Sequence, residues 1–478
     1  MTNNLTMLTD LYQLTMINGY YKKGLHNNTA VFDIFFRKNV CDGGYTIICG
    51  IEEVVKYIEN LHYEDSDLEY LRSLNLFDED FLSFLKDFKF TGDIYAVEDG
   101  TVMFPGEPVL VVKAPLYQAQ LIETAMLSIV NFMSLIATKS SRVCNAAQGD
   151  PVLEFGLRRA QGPEAGLYGA KAAIIGGCKG TSNVLAGKLF NVPVSGTHAH
   201  SWVQKFDTEL EAFRAYADIY PDSCLLLIDT YDVLNSGIKN AITVFNELRA
   251  KGHEPLGVRL DSGDLTYLSR EVRRILDEAG FENVKITASN DLDEYTITSL
   301  KQEGAKIDSW GVGTKLITSY DYPSLGGVYK LAAATNSEGL LVPKIKISEN
   351  PEKINNPGFK KVVRIYNENG KAEADLIMLE GEVIDESKTL EIFDPIYTWK
   401  TKKFEKYSLR EVLSPLFKDG KCVRDKKTIQ EVTEYTRQEL ASLWDQHKRI
   451  KNPHIYKVDL SEGLWKMKQE MIASKKIK

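Results

Sequence analysis

The segment VSGTHAHSW, residues 194–202, carries His198 and His200, two of the seven histidines in this 478-residue chain. Val192 and Pro193 precede it, and a short apolar run that ends in Ser-Gly-Thr is typical of a strand that releases polar side chains onto a loop. In barrel enzymes, loops of this kind hold the catalytic groups. Taken alone, the segment also fits an ordinary strand-to-helix turn with a Ser or Thr N-cap and a surface histidine.

The same pattern recurs on both sides of this segment, because short apolar runs end in polar clusters that precede helix-like stretches. The first residues of successive apolar runs lie roughly 20 to 40 residues apart, as a β/α repeat requires. Eight units predict an irregular, closed parallel (β/α) barrel with all the polar clusters on one rim. A doubly wound open sheet is the alternative, since alternating β/α patterns do not specify closure. The runs are VLEFGLRRAQG (152–162), CKGTSN (178–183), VPVSGTHAHS (192–201), LLLIDTYD (225–232), LGVRLDSGD (256–264), KITASND (285–291), IDSWGVGT (307–314) and GGVYKL (326–331).

The flanking segments have a different organisation. Residues 1–140 mix helical patterns with short strands and Gly-containing turns, and 348–360 form a connector rich in Pro, Asn and charge. Asn369-Gly370 lies between two apolar runs, which is a strong hairpin signal. The Lys-rich last hundred residues follow a helical pattern, and we interpret their charges as solvated faces.

The bulk composition narrows the class of protein. At roughly 150 residues per domain the length predicts two or three domains. A formal charge of -8 and a pI near 5.6 argue against nucleic acid or an anionic membrane as the main partner, although local arginines can still bind an anionic substrate. The six cysteines include no CxxC pair, which favours free thiols in a reducing cytosol. No signal-peptide pattern opens the chain, and polar residues interrupt the apolar stretch 119–138, so we expect a cytoplasmic protein without a membrane span.

The polar clusters share one chemistry. Guanidinium groups bind phosphate oxygens in pairs, and glycine backbone can approach them closely. Aspartates beside them suit ribose hydroxyls or a phosphate-bound magnesium ion. The clusters therefore favour a phosphosugar or diphosphate substrate. Their members are Arg158, Arg159, Lys179, Thr181, Ser182, Thr197, His200, Asp229, Asp232, Arg259, Asp261, Ser262, Asp264, Ser289, Asn290, Gly311, Gly313, Thr314, Gly326 and Gly327.

Some of these residues also have structural interpretations. Arg158 and Arg159 are adjacent, so on a strand their side chains would point to opposite faces and at most one would be a ligand. The run from Asp261 to Asp264 is also typical of a turn with a helix N-cap. The glycine pairs are individually weak signals. Their joint position at successive strand ends is what favours a binding site.

Nine motifs, in this order, resemble the nicotinate phosphoribosyltransferase family over essentially the whole chain. Each string alone is weak, and the combination is specific. The motifs are TDLYQLTM (9–16), FGLRRAQG (155–162), GTHAHS (196–201), DTYD (229–232), VRLDSGDL (258–265), ASNDLDE (288–294), GVGT (311–314), GGVYKL (326–331) and NPHIYKVDLSEGLW (452–465).

The resemblance implies a reaction and an architecture. Nicotinate and phosphoribosyl diphosphate would give nicotinate mononucleotide and diphosphate, with ATP hydrolysis coupled to the transfer and magnesium required, in the salvage (Preiss-Handler) route to NAD. The implied organisation is an N-terminal α/β sandwich domain (1–140) completed by later segments, an irregular barrel domain (141–347), and a C-terminal hairpin-plus-helix region (348–478). A homodimer with shared active sites is also implied.

The resemblance assigns roles to individual residues. His200 matches the histidine that ATP phosphorylates, and His198 is the weaker candidate. Thr197, Arg259 and Tyr12 match positions that hold nicotinate, Tyr12 by stacking on the pyridine ring from the partner subunit. For the phosphoribosyl diphosphate, Thr314 matches a contact and Arg158 and Asp261 match positions that line the same site, while Gly313, Gly326 and Gly327 are expected to approach substrate through bare backbone. Asp261 is expected to be catalytic together with His200 and Arg259.

Three rival functions remain to be compared with this one. In nicotinamide phosphoribosyltransferase an aspartate is expected in the cluster that here reads Lys179-Gly180-Thr181-Ser182, so Ser182 favours the carboxylate substrate. A catalytically silent phosphosugar-binding barrel is disfavoured by the intact Thr197, His200, Arg259 and Asp261. An unrelated barrel aldolase or isomerase is disfavoured by the order of the motifs.

Overall fold

The computed structural model describes residues 4–474, with sixteen α-helices and twenty-one strands in this range. The helices are α1 Leu11–Lys22, α2 Ile51–Glu59, α3 Asp65–Ser73, α4 Glu79–Lys86, α5 Leu116–Leu121, α6 Glu123–Ala146, α7 Pro163–Ile175, α8 Val184–Phe190, α9 His200–Lys205, α10 Glu209–Ile219, α11 Ile238–Ala250, α12 Leu265–Glu278, α13 Glu294–Gln302, α14 Thr314–Ile317, α15 Ile429–Ser442 and α16 Glu462–Ser474. The strands are β1 Thr29–Phe35, β2 Thr46–Ile47, β3 Asp93–Ala96, β4 Val102–Met103, β5 Leu110–Pro115, β6 Val152–Glu154, β7 Gly180–Thr181, β8 Leu225–Leu227, β9 Gly257–Leu260, β10 Lys285–Asn290, β11 Ser309–Val312, β12 Val328–Thr335, β13 Leu341–Pro343, β14 Lys360–Tyr366, β15 Ala372–Leu379, β16 Leu390–Phe393, β17 Thr401–Phe404, β18 Ser408–Glu411, β19 Ser414–Lys418, β20 Lys421–Cys422 and β21 Val458–Leu460.

The chain forms two compact units. The first comprises the described residues up to Leu135 together with those from Ser324 onward, and the second is Ile136–Pro323. The division into a sandwich domain, a barrel domain and a C-terminal region, with boundaries at 140 and 347, stays a prediction.

The first unit is built on an antiparallel sheet of seven strands in the order β13-β12-β1-β5-β3-β19-β20. Phe32 of β1 stacks on Tyr329 of β12 with ring centroids 4.6 Å apart, which adds aromatic contact to the strand pairing. A second sheet, β18-β14-β15-β21, contains the predicted hairpin. Its turn is at Gly370, where φ is +71°, a conformation that glycine adopts without strain.

The C-terminal part of the first unit contains more strand than we predicted. Residues 390–422 form five short strands, β16 to β20, and the helical pattern holds only for α15 and α16. Lys402 and Lys403 lie on β17, which pairs with β16 in a hairpin, and Lys403 faces solvent whereas Lys402 is partly buried. Charge alone therefore did not distinguish a solvated strand from a solvated helix.

The second unit is built on a sheet of six parallel strands in the order β7-β6-β11-β10-β9-β8. The first of these strands in the chain, β6, pairs with the last, β11, which is the cyclic order of a barrel. Between β7 and β8 the only further pairing among the described residues is a single bridge from Thr181 to Val194. The parallel α/β sheet is therefore confirmed, while closure into a barrel stays a prediction.

Two of the eight predicted barrel strands differ from the prediction. The run 192–201 contributes only the one-residue bridge at Val194, and residues 195–199 after it form no helix or strand. The run GGVYKL (326–331) is not a parallel strand. It begins β12, which pairs antiparallel with β1 in the first unit. A buried strand of either sheet has the same apolar pattern, so the sequence did not distinguish them.

Local capping explains where several helices begin. Asp264 accepts a hydrogen bond from the Tyr267 N–H at 3.0 Å and is the N-cap of α12, as the structural interpretation of the DSGD run expected. Asp293 caps α13 in the same way, and its other oxygen lies 2.6 Å from Lys315 Nζ. The six cysteines, all within residues 4–474, form no disulfide. Within residues 4–474, no helix combines the length and the apolar composition needed to cross a bilayer.

Candidate active site

The carboxyl ends of the parallel strands β8, β9 and β10 bring a polar cluster together. Asp229 follows β8, Arg259 and Asp261 lie at the end of β9, and Ser289 is in β10. Parallel strands end at a common edge, so residues separated by thirty or more positions become neighbours there. This is the convergence that the motifs predicted for the second unit.

His200 is the first residue of α9, and its ring lies between two partners. Nδ1 is 3.2 Å from Thr230 Oγ1, and Nε2 is 3.7 Å from Asp261 Oδ2. The side chain is 39% exposed, so a ligand can reach the ring from solvent. The Asp261 carboxylate is close enough to stabilise a positive charge on the imidazole, although the separation exceeds a direct hydrogen bond.

Arg259 is mostly buried, with 15% of its side chain exposed. One terminal nitrogen donates to the carbonyl of His198 at 2.9 Å, and the other lies 3.4 Å from Ser289 Oγ and 3.8 Å from Asp261 Oδ1. Its Nε is buried and has no hydrogen-bond partner among the described residues. Burial lowers the pKa of Arg259, and Asp261 and Asp229 oppose that shift. A buried guanidinium that is not fully hydrogen-bonded is suited to bind an anionic ligand.

His198 has a structural role in this cluster. Its ring is buried against Tyr216, with centroids 4.7 Å apart, and Nε2 accepts the Leu227 N–H at 3.3 Å. Burial lowers the pKa of His198 to about 4, so the ring is neutral at physiological pH. Its acceptor nitrogen holds the segment 194–200 against β8.

Asp229 and Asp261 are linked directly. Asp229 Oδ2 accepts the Asp261 N–H at 2.9 Å and the Ser262 hydroxyl at 2.6 Å, and Ser289 donates to Asp261 Oδ1 at 2.5 Å. Asp229 Oδ1 is buried and has no partner among the described residues. At the strand ends, Asp229 therefore uses Oδ2 to accept two hydrogen bonds, while its buried Oδ1 accepts none from the described residues.

Asp229 and Asp261 are the carboxylates that could bind magnesium at this site. Within residues 4–474, no group of three or more His, Cys, Asp or Glu side chains is arranged to hold a metal ion. Magnesium commonly binds through one or two carboxylates together with substrate phosphates and waters. The unpartnered oxygen of Asp229 and the neighbouring Asp261 fit that mode, in which phosphate oxygens supply the remaining ligands.

Glu154 is a residue that the sequence analysis did not single out. It ends β6, is fully buried, and accepts the Thr181 hydroxyl at 2.6 Å and the Gly156 N–H. Its own carbonyl accepts the Ser182 N–H at 2.9 Å. Burial raises the pKa of Glu154, and its two side-chain hydrogen bonds counteract this. The sequence did contain a signal for this residue, because Glu154 is a charged residue inside the apolar run VLEFGLRR. A carboxylate on a buried strand is rarely found without hydrogen-bond donors.

The remaining predicted residues of the second unit have different surroundings. Arg158 lies on a single 3-10 turn, Leu157–Arg159, so the strand-alternation argument was wrong and both arginines are exposed. Arg158 is nonetheless close enough to Arg259 to contribute to the lowering of its pKa. Thr197 donates to the His198 carbonyl at 3.2 Å. Thr314 opens α14 directly after Gly313, where an added Cβ would lie 3.2 Å from the Phe155 carbonyl oxygen.

The other three predicted residues belong to the first unit. Tyr12, on α1, is 49% exposed, and its hydroxyl lies 3.4 Å from Glu123 Oε1. Gly326 has φ +70°, and the Gly327 N–H donates to Asn131 Oδ1 at 2.9 Å. A Cβ on Gly327 would lie 2.3 Å from that oxygen, so close packing alone requires glycine at this position.

A group of cations in the first unit was also not predicted. Burial lowers the pKa of Lys330, Glu123 opposes that shift, and Arg37 and Lys346 add to it. Three positive side chains and one carboxylate therefore interact in this part of the first unit. These residues are far apart in the sequence and belong to no common motif, so the sequence did not predict that they would lie close together.

Comparison with known proteins agrees with the motifs. Three family models match the chain: the nicotinate phosphoribosyltransferase N-terminal domain at residues 7–131, the nicotinate phosphoribosyltransferase family at 151–371, and the C-terminal domain at 359–468. The nicotinate phosphoribosyltransferase of Bacillus subtilis is 46% identical over 98% of this chain and 96% of its own length. The human nicotinate phosphoribosyltransferase sequence is 32% identical over 96% of this chain and 95% of its own.

Solved structures show the same fold. The crystal structure of human nicotinic acid phosphoribosyltransferase aligns over 97% of this chain and 100% of that chain, with a TM-score of 0.85 and 29% identity. The nicotinate-nucleotide pyrophosphorylase of Pyrococcus furiosus aligns over 92% and 96%, with a TM-score of 0.71 at 21% identity, which shows the fold alone. Fold and site together define an α/β protein of the phosphoribosyltransferase class. Within that class, the chain belongs to the nicotinate phosphoribosyltransferase family.

Proposed function

We propose that this chain joins nicotinate to phosphoribosyl diphosphate, giving nicotinate mononucleotide and diphosphate. The observation that carries the proposal is the 46% identity to the Bacillus subtilis enzyme along almost the whole chain. The cluster of Arg259, His200 and Asp261 at the strand ends supports it, since these residues match the family motifs and lie within hydrogen-bonding or ion-pair range of shared partners.

The reaction would need no general base from the protein. The pyridine nitrogen of nicotinate has a free lone pair at neutral pH, so it can attack the ribose carbon without a general base. It forms the new C–N bond while diphosphate leaves with the electrons of the broken C–O bond. Catalysis then depends on aligning two anions and stabilising the departing diphosphate. Arg259 would offset the nicotinate carboxylate, beside Thr197, while Arg158, Gly313 and Thr314 would contact the phosphosugar.

ATP would act through His200. A neutral ring nitrogen forms a bond to the terminal phosphorus, and ADP leaves with the electrons of the broken P–O bond. The phosphorylated ring would add a charge of about -1.5 to -2 beside Asp261, if it behaves like other phosphorylated side chains. The added charge would reorganise nearby cations and so couple ATP to substrate affinity. Asp261 would stabilise the positive charge that develops on the imidazole during attack.

Magnesium would neutralise phosphate oxygens at this site, with Asp229 and Asp261 as its protein ligands. We place the reaction in the salvage (Preiss-Handler) route to NAD, in the cytoplasm. The functional form would be a homodimer in which Tyr12 of one subunit stacks on the nicotinate bound by the other. The exposure of the Tyr12 ring leaves one face available for such a contact.

A panel of substrates tests the reaction. Release of diphosphate is measured with nicotinate, nicotinamide and quinolinate, each with and without ATP. We expect turnover with nicotinate and stimulation by ATP, because Arg259 favours a carboxylate and Ser182 stands where an aspartate would favour an amide. Preferential turnover of nicotinamide or quinolinate would contradict the assignment.

Labelling tests the role of His200. Protein incubated with γ-labelled ATP should acquire acid-labile phosphate, and His200→Ala should not. His253→Ala is the matched control, because His253 is a surface histidine paired with Asp222 at 2.7 Å. Label that persists on His200→Ala would place the acceptor elsewhere.

A further inference from the structure

Two cysteines lie side by side in the second unit. Cys144 is on the last turn of α6, and Cys178 lies in the short segment between α7 and β7. Their side chains are hydrogen-bonded to each other, and no disulfide joins them. Because the two sulfurs are already neighbours, a bond between them needs no large movement of the backbone. We call these two residues the thiol pair.

The packing around Cys178 holds its sulfur against α6. Ser140 lies one turn before Cys144 on the same face of this helix, and its Oγ is 3.2 Å from Cys178 Sγ. The Cys178 N–H and the Ser140 hydroxyl both donate to the carbonyl of Ala173, at 3.0 and 2.8 Å. A Cβ added to Gly177 would lie 3.4 Å from Cys144 Sγ. Two adjacent residues of one segment therefore contact two successive turns of α6.

The two thiols differ in their access to solvent. Cys178 is 3% exposed, whereas Cys144 is partly exposed. The hydrogen bond with Cys144 and burial raise the pKa of Cys178 well above its usual range, and Ser140 opposes that shift. A thiolate is the reactive form of cysteine, so Cys178 is inert while its partner is reduced. An oxidant that arrives from solvent meets Cys144 first.

We propose that the thiol pair is a modification site at which hydrogen peroxide forms a disulfide. The Cys144 thiolate attacks one peroxide oxygen, the O–O bond breaks, and the products are a sulfenic acid on Cys144 and, after protonation, water. Cys178 Sγ then attacks Cys144 Sγ. The S–S bond forms, and the sulfenic oxygen leaves as a second water with the proton of Cys178. Both sulfurs are oxidised, the peroxide is reduced, and neither substrate nor ATP takes part.

The disulfide would join α6 to the segment that enters β7. The Lys179 N–H donates to the carbonyl of Val152 at 2.8 Å, and Val152 begins β6, so this is the amino end of the two strands. The cluster of Arg259 and Asp261 lies at the carboxyl ends. The cross-link would therefore leave the candidate active site open while it constrains the unfolded chain between residues 144 and 178.

Peptide mapping of the full-length protein tests the proposal. Reduced protein is treated with a small excess of hydrogen peroxide, its remaining thiols are alkylated, and it is digested without reductant. We expect a linked peptide that contains Cys144 and Cys178 and is lighter than its two components by the mass of two hydrogen atoms. Cys178→Ser should lose this peptide and accumulate the sulfenic acid on Cys144, which a trapping reagent detects. Cys422→Ser is the matched control, because Cys422 is a partly exposed thiol of the first unit, and it should keep the linked peptide.

Urea unfolding provides a second measurement. Oxidised wild type should unfold at a higher urea concentration than reduced wild type, because the cross-link restricts the unfolded chain. Cys144→Ser, which changes the more exposed thiol, should show no such shift on oxidation. Peroxide-treated wild type without the Cys144–Cys178 peptide would overturn the proposal, and so would a linked peptide that forms only in urea.

Discussion

His198 and His200 are two positions apart and differ in almost every physical respect. His200 is part-exposed beside Thr230 and Asp261, while the buried ring of His198 accepts a backbone N–H from β8. The unfolded chain binds a proton at His198 below about pH 6.5, but the folded chain does so only below about 4. Stability contributed by the neutral ring is therefore lost as the pH falls through this window.

Between pH 7 and pH 5 this linkage should remove about 2 kcal/mol from the free energy of unfolding. Denaturant titrations of wild type and His198→Gln at both pH values measure it. The variant, which does not titrate and keeps an acceptor, should show the smaller loss. An equal loss in both proteins would mean that His198 is not held neutral.

Arg259 is the residue whose removal should most affect nicotinate. Its side chain is only 15% exposed, its Nε has no hydrogen-bond partner within residues 4–474, and it lies within 4 Å of Asp261. Arg259→Ala should weaken nicotinate binding by about 2 to 5 kcal/mol, the range for truncating one partner of a desolvated charge pair. Calorimetry measures the affinity, and Arg274→Ala, which removes an exposed helix arginine, should leave it unchanged. An unchanged affinity in Arg259→Ala would remove this residue from the site.

At the scale of elements, the neighbouring strands β6 and β7 are joined by a side chain as well as by their backbones. Glu154 binds the Thr181 hydroxyl, which in turn accepts the Asn183 N–H at 3.0 Å. These contacts set the positions of the loop that carries Arg158 and of the loop that carries Ser182. Thr181→Val should destabilise the protein by about 1 to 3 kcal/mol, because it leaves a buried carboxylate oxygen without its donor.

Thr181→Ser keeps the hydroxyl and is the matched control. Chemical unfolding compares the two variants, and Michaelis constants for both substrates report whether the loops have moved. A Thr181→Val protein as stable as Thr181→Ser would show that Glu154 finds another donor.

At the scale of the whole molecule, the predicted site residues are divided between two compact units. Tyr12, Gly326 and Gly327 belong to the first unit, and His200, Arg259 and Thr314 belong to the second. If Tyr12 acts across a homodimer, mixing inactive Tyr12→Ala and His200→Ala subunits should restore part of the activity, since one site of each mixed dimer is intact. Differently tagged subunits isolate the mixed dimers, and Tyr12→Phe, which keeps the ring, should stay active. Mixed dimers without activity would argue against shared sites.

Sequence alone determined the family, the parallel β/α character of residues 152–312, the Asn369-Gly370 hairpin and the strand-end cluster around Arg259. Each of these depends on local periodicity, turn chemistry or motif order, which are properties of the sequence itself. Tertiary structure decided that β12 pairs with β1 in the antiparallel sheet, that Arg158 lies on a 3-10 turn, and that Glu154 is tied to Thr181. It also decided that Asp229 Oδ1 is buried without a hydrogen-bond partner in the part of the chain that the structure describes. The physical reason is that strand partners and hydrogen-bond donors come from residues distant in sequence, and a local pattern does not specify which of them meet.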